Sequence, residues 1–324
     1  MLQRRMLLAA AVAAPAIARR RAQAQPAWPQ EKPVEVIVPF PPGGGVDIMT
    51  RLIMPLVAAR IPGMTVVVTN RPGAASQIGL EATFNAAPDG YTLGATSTPA
   101  HSAIPIERPA RYRALDFTFL ANIVEDPNCL YVRAESPIRS LAELVAQARA
   151  RPGSLDYGTT GIGSDDHIMM LAFEALSGIP PMTHVPFAGV APLLPQLLGG
   201  HLATAVGNTT ELVTLAREGK MRGLAVASLQ RLPELPEVPT FRELGFDIVA
   251  AAARGIIGPP GIPPAVAARL QEAFRGALAD PGFLREAARQ HMPLRPLVGN
   301  EYRQMASQVD AQLHALWTLR PWRG

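Results

Sequence analysis

The chain of 324 residues contains a single cysteine, Cys129, so no intrachain disulfide can form, and stability has to come from packing. It contains two lysines, Lys32 and Lys220. Beyond the first 24 residues no apolar run reaches the ~18 residues that a membrane span needs without charges or breakers. Several catalytic and nucleotide signatures are also missing. There is no G-x-S-x-G, no lysine follows the glycines at 43–45 as a phosphate loop requires, and the dinucleotide fingerprint begun at Gly43 would need glycine where Ile48 stands. Nothing around Cys129 marks it as a nucleophile. His167 follows Asp165 and Asp166, yet no further histidine or carboxylate stands at i+3 or i+4 from it, so a metal site is not supported; capping by either aspartate and cleft contact by His167 fit better. No cofactor is expected.

The apparent basicity, a net charge of +4 and a pI near 9.6, belongs mostly to the N-terminus. Residues 1–24 hold five arginines and no acid, which leaves 25 basic against 26 acidic residues in the remainder. Nucleic-acid binding loses its support. The same 24 residues have a basic start at Arg4 and Arg5, an apolar run from Met6 to Ala18, and Ala22-Gln23-Ala24 as a cleavage site. This layout is an export signal, and the paired arginines resemble the twin-arginine type. The expected location is the periplasm.

What is present is a strand, glycine loop and helix at residues 34–51. Val34 to Val38 is apolar and β-branched, and Pro39, Pro41 and Pro42 end it. Gly43-Gly44-Gly45 permits backbone angles that a Cβ forbids, and Asp47 is the expected helix N-cap, with Ile48, Leu52, Val57 and Ile61 as the packing face. Such a turn reads either as a plain tight connection or as a small-anion site, with backbone N–H groups aimed above the strand. A second strand leads into Asn70–Ser76 and a third ends at Thr96-Ser97-Thr98, implying a parallel sheet with ligands beyond its carboxyl ends.

Residues 117–133 read as two extended segments with a break at Glu125 to Asn128, crossing into a second domain. There Leu155 to Gly158 opens onto Thr159–Ser164, with a helix from Asp165, repeating the first arrangement with hydroxyls in place of prolines. Thr183–Phe187 and His201–Asn208 supply further strands. Tyr157 and Phe187 fit either a cleft wall or core packing; the other histidines read as packed or surface residues. A last helix spans Asn300–Leu319, packing through Tyr302, Met305, Val309, Leu313 and Leu316.

Seven stretches in order, among them VPFPPGGGVD at 38–47, NRPGA at 70–74, PDGYTL at 88–93, YGTTG at 157–161, HVPF at 184–187, LLGG at 197–200 and LPEVPT at 235–240, resemble the solute-binding proteins of the tripartite tricarboxylate transporter family, also called the Bordetella uptake gene family. The likeness spans essentially the whole exported chain. It implies an α/β, two-lobed periplasmic binding protein of type II kind, with a ligand cleft between lobe 1 (25–124 plus 224–324) and lobe 2 (125–223). It also implies a carboxylate held by amides, small hydroxyls and waters, and membrane permease subunits, one large and one small, as partners of a monomer. The cleft residues are then Phe40, Pro41, Gly43, Gly44, Gly45 and Asp47; Ser76, Thr96 and Ser97; Thr159, Thr160, Gly161, Ser164 and His167; and Phe187, Ala188, Gly189 and Asn208. Ala188 stands where many relatives carry lysine, and no acid precedes Asn208, so a plain organic acid fits better than an amino acid. A sensor that docks on a membrane kinase, or an enzyme on the same fold, are the alternatives.

Overall fold

The computed structural model describes residues 28–322, and the export signal expected at 1–24 lies outside them. The first half of the chain runs β1 (Val34–Val38), α1 (Gly45–Ala59), β2 (Val66–Asn70), α2 (Gln77–Phe84), β3 (Thr92–Thr98), α3 (Ala100–Glu107), β4 (Thr118–Arg133), α4 (Leu141–Ala150), β5 (Asp156–Thr159) and α5 (Asp165–Ser177). Then follow β6 (Thr183–Pro186), α6 (Val190–Leu198), β7 (Thr204–Asn208), α7 (Thr209–Arg217), β8 (Met221–Val226), β9 (Ala251–Gly258), α8 (Pro264–Leu278), α9 (Pro281–Arg289), β10 (Leu294–Val298) and α10 (Asn300–Leu319).

The strands are ordered β2-β1-β3-β9-β4-β7-β5-β6, with β10 and β8 also paired to β4. At each end the pairing is parallel, as β-α-β connections require: β1 with β2 and β3, β5 with β6 and β7. The middle differs from the expected parallel sheet, because β9 runs antiparallel to both β3 and β4. The expected break at Glu125–Asn128 is also absent. β4 is one strand of 16 residues. Its part up to Pro127 pairs with β9, and its part from Asn128 pairs with β7 and β8. Pro127 has no N–H to give a ladder, and it stands where β4 changes neighbours; register shifts near Phe119 and Asn122 bend the strand without ending it.

Two cores flank this crossing. One gathers Val36, Met49, Ile53, Leu93, Ile256 and Phe274; the other gathers Leu130, Leu144, Tyr157, Phe173, Val206 and Phe241. β8 pairs with the second half of β4, and Phe241 and Ile248 pack in the second core, so residues 221–250 lie with that core. On α1 the packing face is Met49, Ile53, Met54 and Val57, while Ile48 is 39% exposed. Val57 and Ile61 are buried as expected, so only the first two turns depart, where Met49 and Ile53 take the places expected for Ile48 and the half-buried Leu52.

Candidate functional site

At the carboxyl end of β1 the N-cap of α1 is Gly44, with extended angles, and not Asp47. Asp47 instead lies in the first turn, 3% exposed. Its carboxylate accepts from the Gly43 amide at 3.0 Å, from Arg51 Nε at 3.0 Å and from Asn70 Nδ2 at 2.9 Å. Burial works against its charge, but these donors outweigh it and hold the pKa below the usual value. Asn70 also donates to the Phe40 carbonyl at 3.0 Å, tying the β2 end to the glycine loop. Pro41 is exposed at the loop's edge. Arg71 is an anchor: its Nη2 lies 2.7 Å from Glu35. In the Asn70–Ser76 loop, Ala74, Ala75 and Ser76 all have positive φ (46°, 51° and 80°). Left-handed conformations in three successive non-glycine residues cost energy that the surrounding contacts have to offset, and such runs gather at binding loops. The Ser76 and Thr96 hydroxyls are buried and make no hydrogen bond among the described residues.

In lobe 2 the cap of α5 is Ser164, whose Oγ accepts from the His167 amide at 3.3 Å; neither Asp165 nor Asp166 caps it. Asp166 turns back onto the loop and accepts from the amide and hydroxyl of Thr160 at 3.0 and 2.6 Å. Asp165 accepts from Asn128 at 2.7 Å and from Asn208 at 2.8 Å. Burial raises both carboxyl pKa values, and at Asp166 the neighbouring Asp165 charge adds to it. His167 stacks on His184 with centroids 3.9 Å apart, and its Nδ1 accepts from the Gly163 amide at 3.1 Å. His184 Nε2 lies 2.7 Å from the Thr159 hydroxyl. His167 therefore braces the loop through the Gly163 amide. Burial pushes it down to about 3 and His184 to about 4, so both rings are neutral in the ordinary pH range. Tyr157 stacks on His184 in the core, and Phe187 lies partly buried against the α6 side, 3.3 Å from where a Cβ on Gly158 would be. Ala188 is exposed beside Gly189, whose φ of 114° starts α6.

The two lobes meet at a residue that motif reading passes over. Arg254 on β9 is 4% exposed, opposite Ser97 of β3. Its Nη2 lies 3.0 Å from Asp126, 3.7 Å from Glu211, and donates to Asn208 at 3.0 Å; its Nη1 reaches Thr210 at 3.5 Å. Asp126 is fully buried and also accepts from the Thr209 hydroxyl at 2.9 Å and the Thr210 amide at 3.1 Å. Burial opposes the guanidinium charge, but Asp126, Glu211, Asp165 and Asp166 more than compensate and raise its pKa. A Cβ on Gly45 would stand 2.2 Å from Arg254 Nη1, which is why this position takes glycine. The signal was present: a lone arginine inside the apolar strand Ala251–Gly258 has to be buried and paired.

These contacts fill part of the expected anion site. Several loop amides expected to be bare are occupied by the chain's own acceptors: Gly43 by Asp47, Thr160 by Asp166, Gly163 by His167. No bond to another protein group engages the amides of Gly44, Ile162, Ala188 and Gly189 among the described residues. Among the described residues the cations near this seam are paired, Arg254 with Asp126, Arg51 with Asp47 and Arg71 with Glu35, while Lys32 and Lys220 pair elsewhere with Asp89 and Glu218. Space remains above the loop. A Cβ on Gly44 would meet only the Pro41 carbonyl, at 3.8 Å. Cys129 is buried and its thiol pushed up to about 12, so it carries no thiolate chemistry.

Two α/β lobes joined by crossing strands, with glycine-containing loops at the carboxyl ends of β1 and β5, define a two-lobed solute-binding protein. The signature described as "Tripartite tricarboxylate transporter family receptor" matches residues 52–315, and the chain belongs to that family of periplasmic binding proteins. It is 32% identical to "Protein BugT" of Bordetella pertussis over 263 residues, covering 80% of each chain. Among solved structures it is similar to MatC of Rhodopseudomonas palustris with bound malate, at 28% identity and a TM-score of 0.78, covering 87% of this chain and 98% of that one. It is likewise similar to a second protein of R. palustris solved with adipate, at 28% identity and a TM-score of 0.77, covering 90% and 97%. No helix among the described residues is long and apolar enough to cross a membrane.

Proposed function

We propose that this protein captures a small organic carboxylate in the cleft, releases it unchanged, and delivers it as a monomer to a permease of one large and one small membrane subunit. The cleft lies between the Phe40–Asp47 loop with Ser76, Thr96 and Ser97 on one side and Thr159–Ser164 with Phe187–Gly189 and Asn208 on the other. The observation that carries this reading is the donor set. The amides of Gly44, Ile162, Ala188 and Gly189, with the buried hydroxyls of Ser76 and Thr96, are uncharged donors without protein acceptors, and donors of this kind suit carboxylate oxygens. The strained Ala74–Ser76 turn and the malate and adipate bound by two relatives support it further.

A thermal-shift screen tests the ligand class, because a ligand at a hundredfold excess over its Kd stabilises by about 2.7 kcal/mol. Mono- or dicarboxylates are expected to stabilise, and their amides and methyl esters to be inactive. Neutral sugars or cationic amines as the sole hits, or an acid recovered chemically altered, would overturn the reading. Gly44→Val should abolish that shift with an unchanged circular dichroism spectrum, since φ is −77° there and the side chain enters open space. If it unfolds the protein instead, the loop is structural. Export by the twin-arginine route is part of the proposal, and Arg4→Lys with Arg5→Lys should leave the precursor inside the cell; unchanged export would assign it to the general pathway.

A further inference from the structure

A second bridge between the lobes lies away from the crossing strands, at the end of the chain. α10 begins as part of lobe 1, where Tyr302, Met305 and Ala306 pack with Phe119 and Ile257. Its end belongs to both lobes. Leu313 and Trp322 share one buried cluster with Ala103 of α3 and Leu171 of α5, flanked by Ile162 of the lobe 2 loop. Trp322 is 2% exposed and meets Trp317 edge-on at 4.8 Å. Its indole nitrogen would lie 3.5 Å from a Cβ on Gly163, and that same Cβ would be 3.4 Å from Ala103. The cleft loop is thus seated directly on lobe 1 and on the tail. Beside it Arg320 Nη2 donates to Glu174 Oε2 of α5, a side chain 2% exposed whose other oxygen accepts from the Met182 amide at 2.9 Å.

We infer that Arg320 and Trp322 form a clasp that holds the lobes together before ligand arrives and positions the Thr159–Ser164 loop for it. Opening the lobes exposes Trp322, Leu313 and Leu171 to water and strips Glu174 of its cation, so the clasp favours the closed arrangement. A state that is already closed need not be selected by the ligand, and apparent affinity scales with the fraction of competent protein. The consequence for affinity rests on the carboxylate-binding reading above; the consequence for lobe separation does not.

The test uses dyes on cysteines introduced as Ala268→Cys on α8 and Arg151→Cys after α4, both exposed, while the native Cys129 is buried and stays unlabelled. In ligand-free protein, Arg320→Ala and Trp322→Ala are each expected to change energy transfer from the wild-type value, with far-ultraviolet circular dichroism retained, and Arg320→Lys is expected to keep the wild-type value. Transfer equal to the wild type in the folded alanine variants would overturn the clasp. Each acid that stabilises the wild type in the screen should also bind the alanine variants roughly tenfold more weakly, the scale of an ordinary coupling. If no acid binds even the wild type, the ligand reading fails, and the energy-transfer result still decides the clasp.

Discussion

Arg254→Met is expected to lower the unfolding free energy by about 3–5 kcal/mol, because it removes one partner of a buried ion pair and leaves the other in place. Methionine keeps most of the side-chain length, so the loss falls on the charge and its hydrogen bonds and not on an emptied volume. Asp126 is fully buried and would keep its threonine donors but no cation, while Asn208 Oδ1 would lose its donor. Glu211, Asp165 and Asp166 would be left as a group of carboxylates with no positive charge among them. Urea unfolding read by circular dichroism measures the effect. Asp126→Asn added to Arg254→Met should recover part of the loss, since it takes away the stranded charge. A loss below about 1 kcal/mol for the single variant would mean that Arg254 is dispensable for this junction. Gly45→Ala is expected to act in the same direction, because the guanidinium it displaces is pinned by its partners and cannot simply swing aside.

Acidification from pH 6.5 to 4 is expected to remove stability through the buried histidines. His101 is fully buried, its Nδ1 lies 3.1 Å from the Thr98 hydroxyl, and burial pushes its pKa down to about 4, although a backbone contact at Ser97 pulls the other way. His167 and His184 are depressed to about 3 and about 4. A depressed histidine is neutral in both states above its unfolded pKa of 6.5. As pH falls below that value the unfolded chain takes up a proton that the folded chain refuses, and stability drops until the folded pKa is reached. For His101 the separation corresponds to about 3 kcal/mol in all. His184 is more accessible and contributes less. Asp165, Asp166, Glu174 and Glu211 have raised pKa values and work in the opposite direction, since the folded state holds their protons more tightly on acidification. The histidine contribution is therefore read as a difference. Unfolding free energy plotted against pH should fall less steeply between 6.5 and 4 in His101→Gln than in the wild type. Parallel curves would show that His101 is not held neutral by the fold.

The local grammar of this chain was legible without coordinates. The β-branched run at Val34–Val38, the three glycines after the prolines, and the Thr159–Ser164 loop opening a helix depend on the conformational limits of neighbouring residues. They form as read because those limits act over a few positions. The ordered family stretches carried the two-lobed fold for a related reason, since a set of short loops in fixed order implies the sheet that presents them. What local rules could not decide was which groups would be partners across the chain. Asp47, Asp165 and Asp166 all have the composition of N-caps, yet the caps are Gly44 and Ser164, because the aspartates are drawn to Asn70, Asn128 and Thr160. Likewise the break expected at Glu125–Asn128 did not occur, because β4 finds new neighbours there, more than 70 residues further along the chain. Arg254 shows the limit most clearly. Burial of a charge is tolerated only where partners converge, and Asp126, Asn208 and Glu211 converge on it only once β9 is laid between β3 and β4. The sequence by itself determined the loops, the elements around them and the family; the tertiary structure alone decided which donors the chain's own acids had already taken, because that depends on distances between residues far apart in the chain.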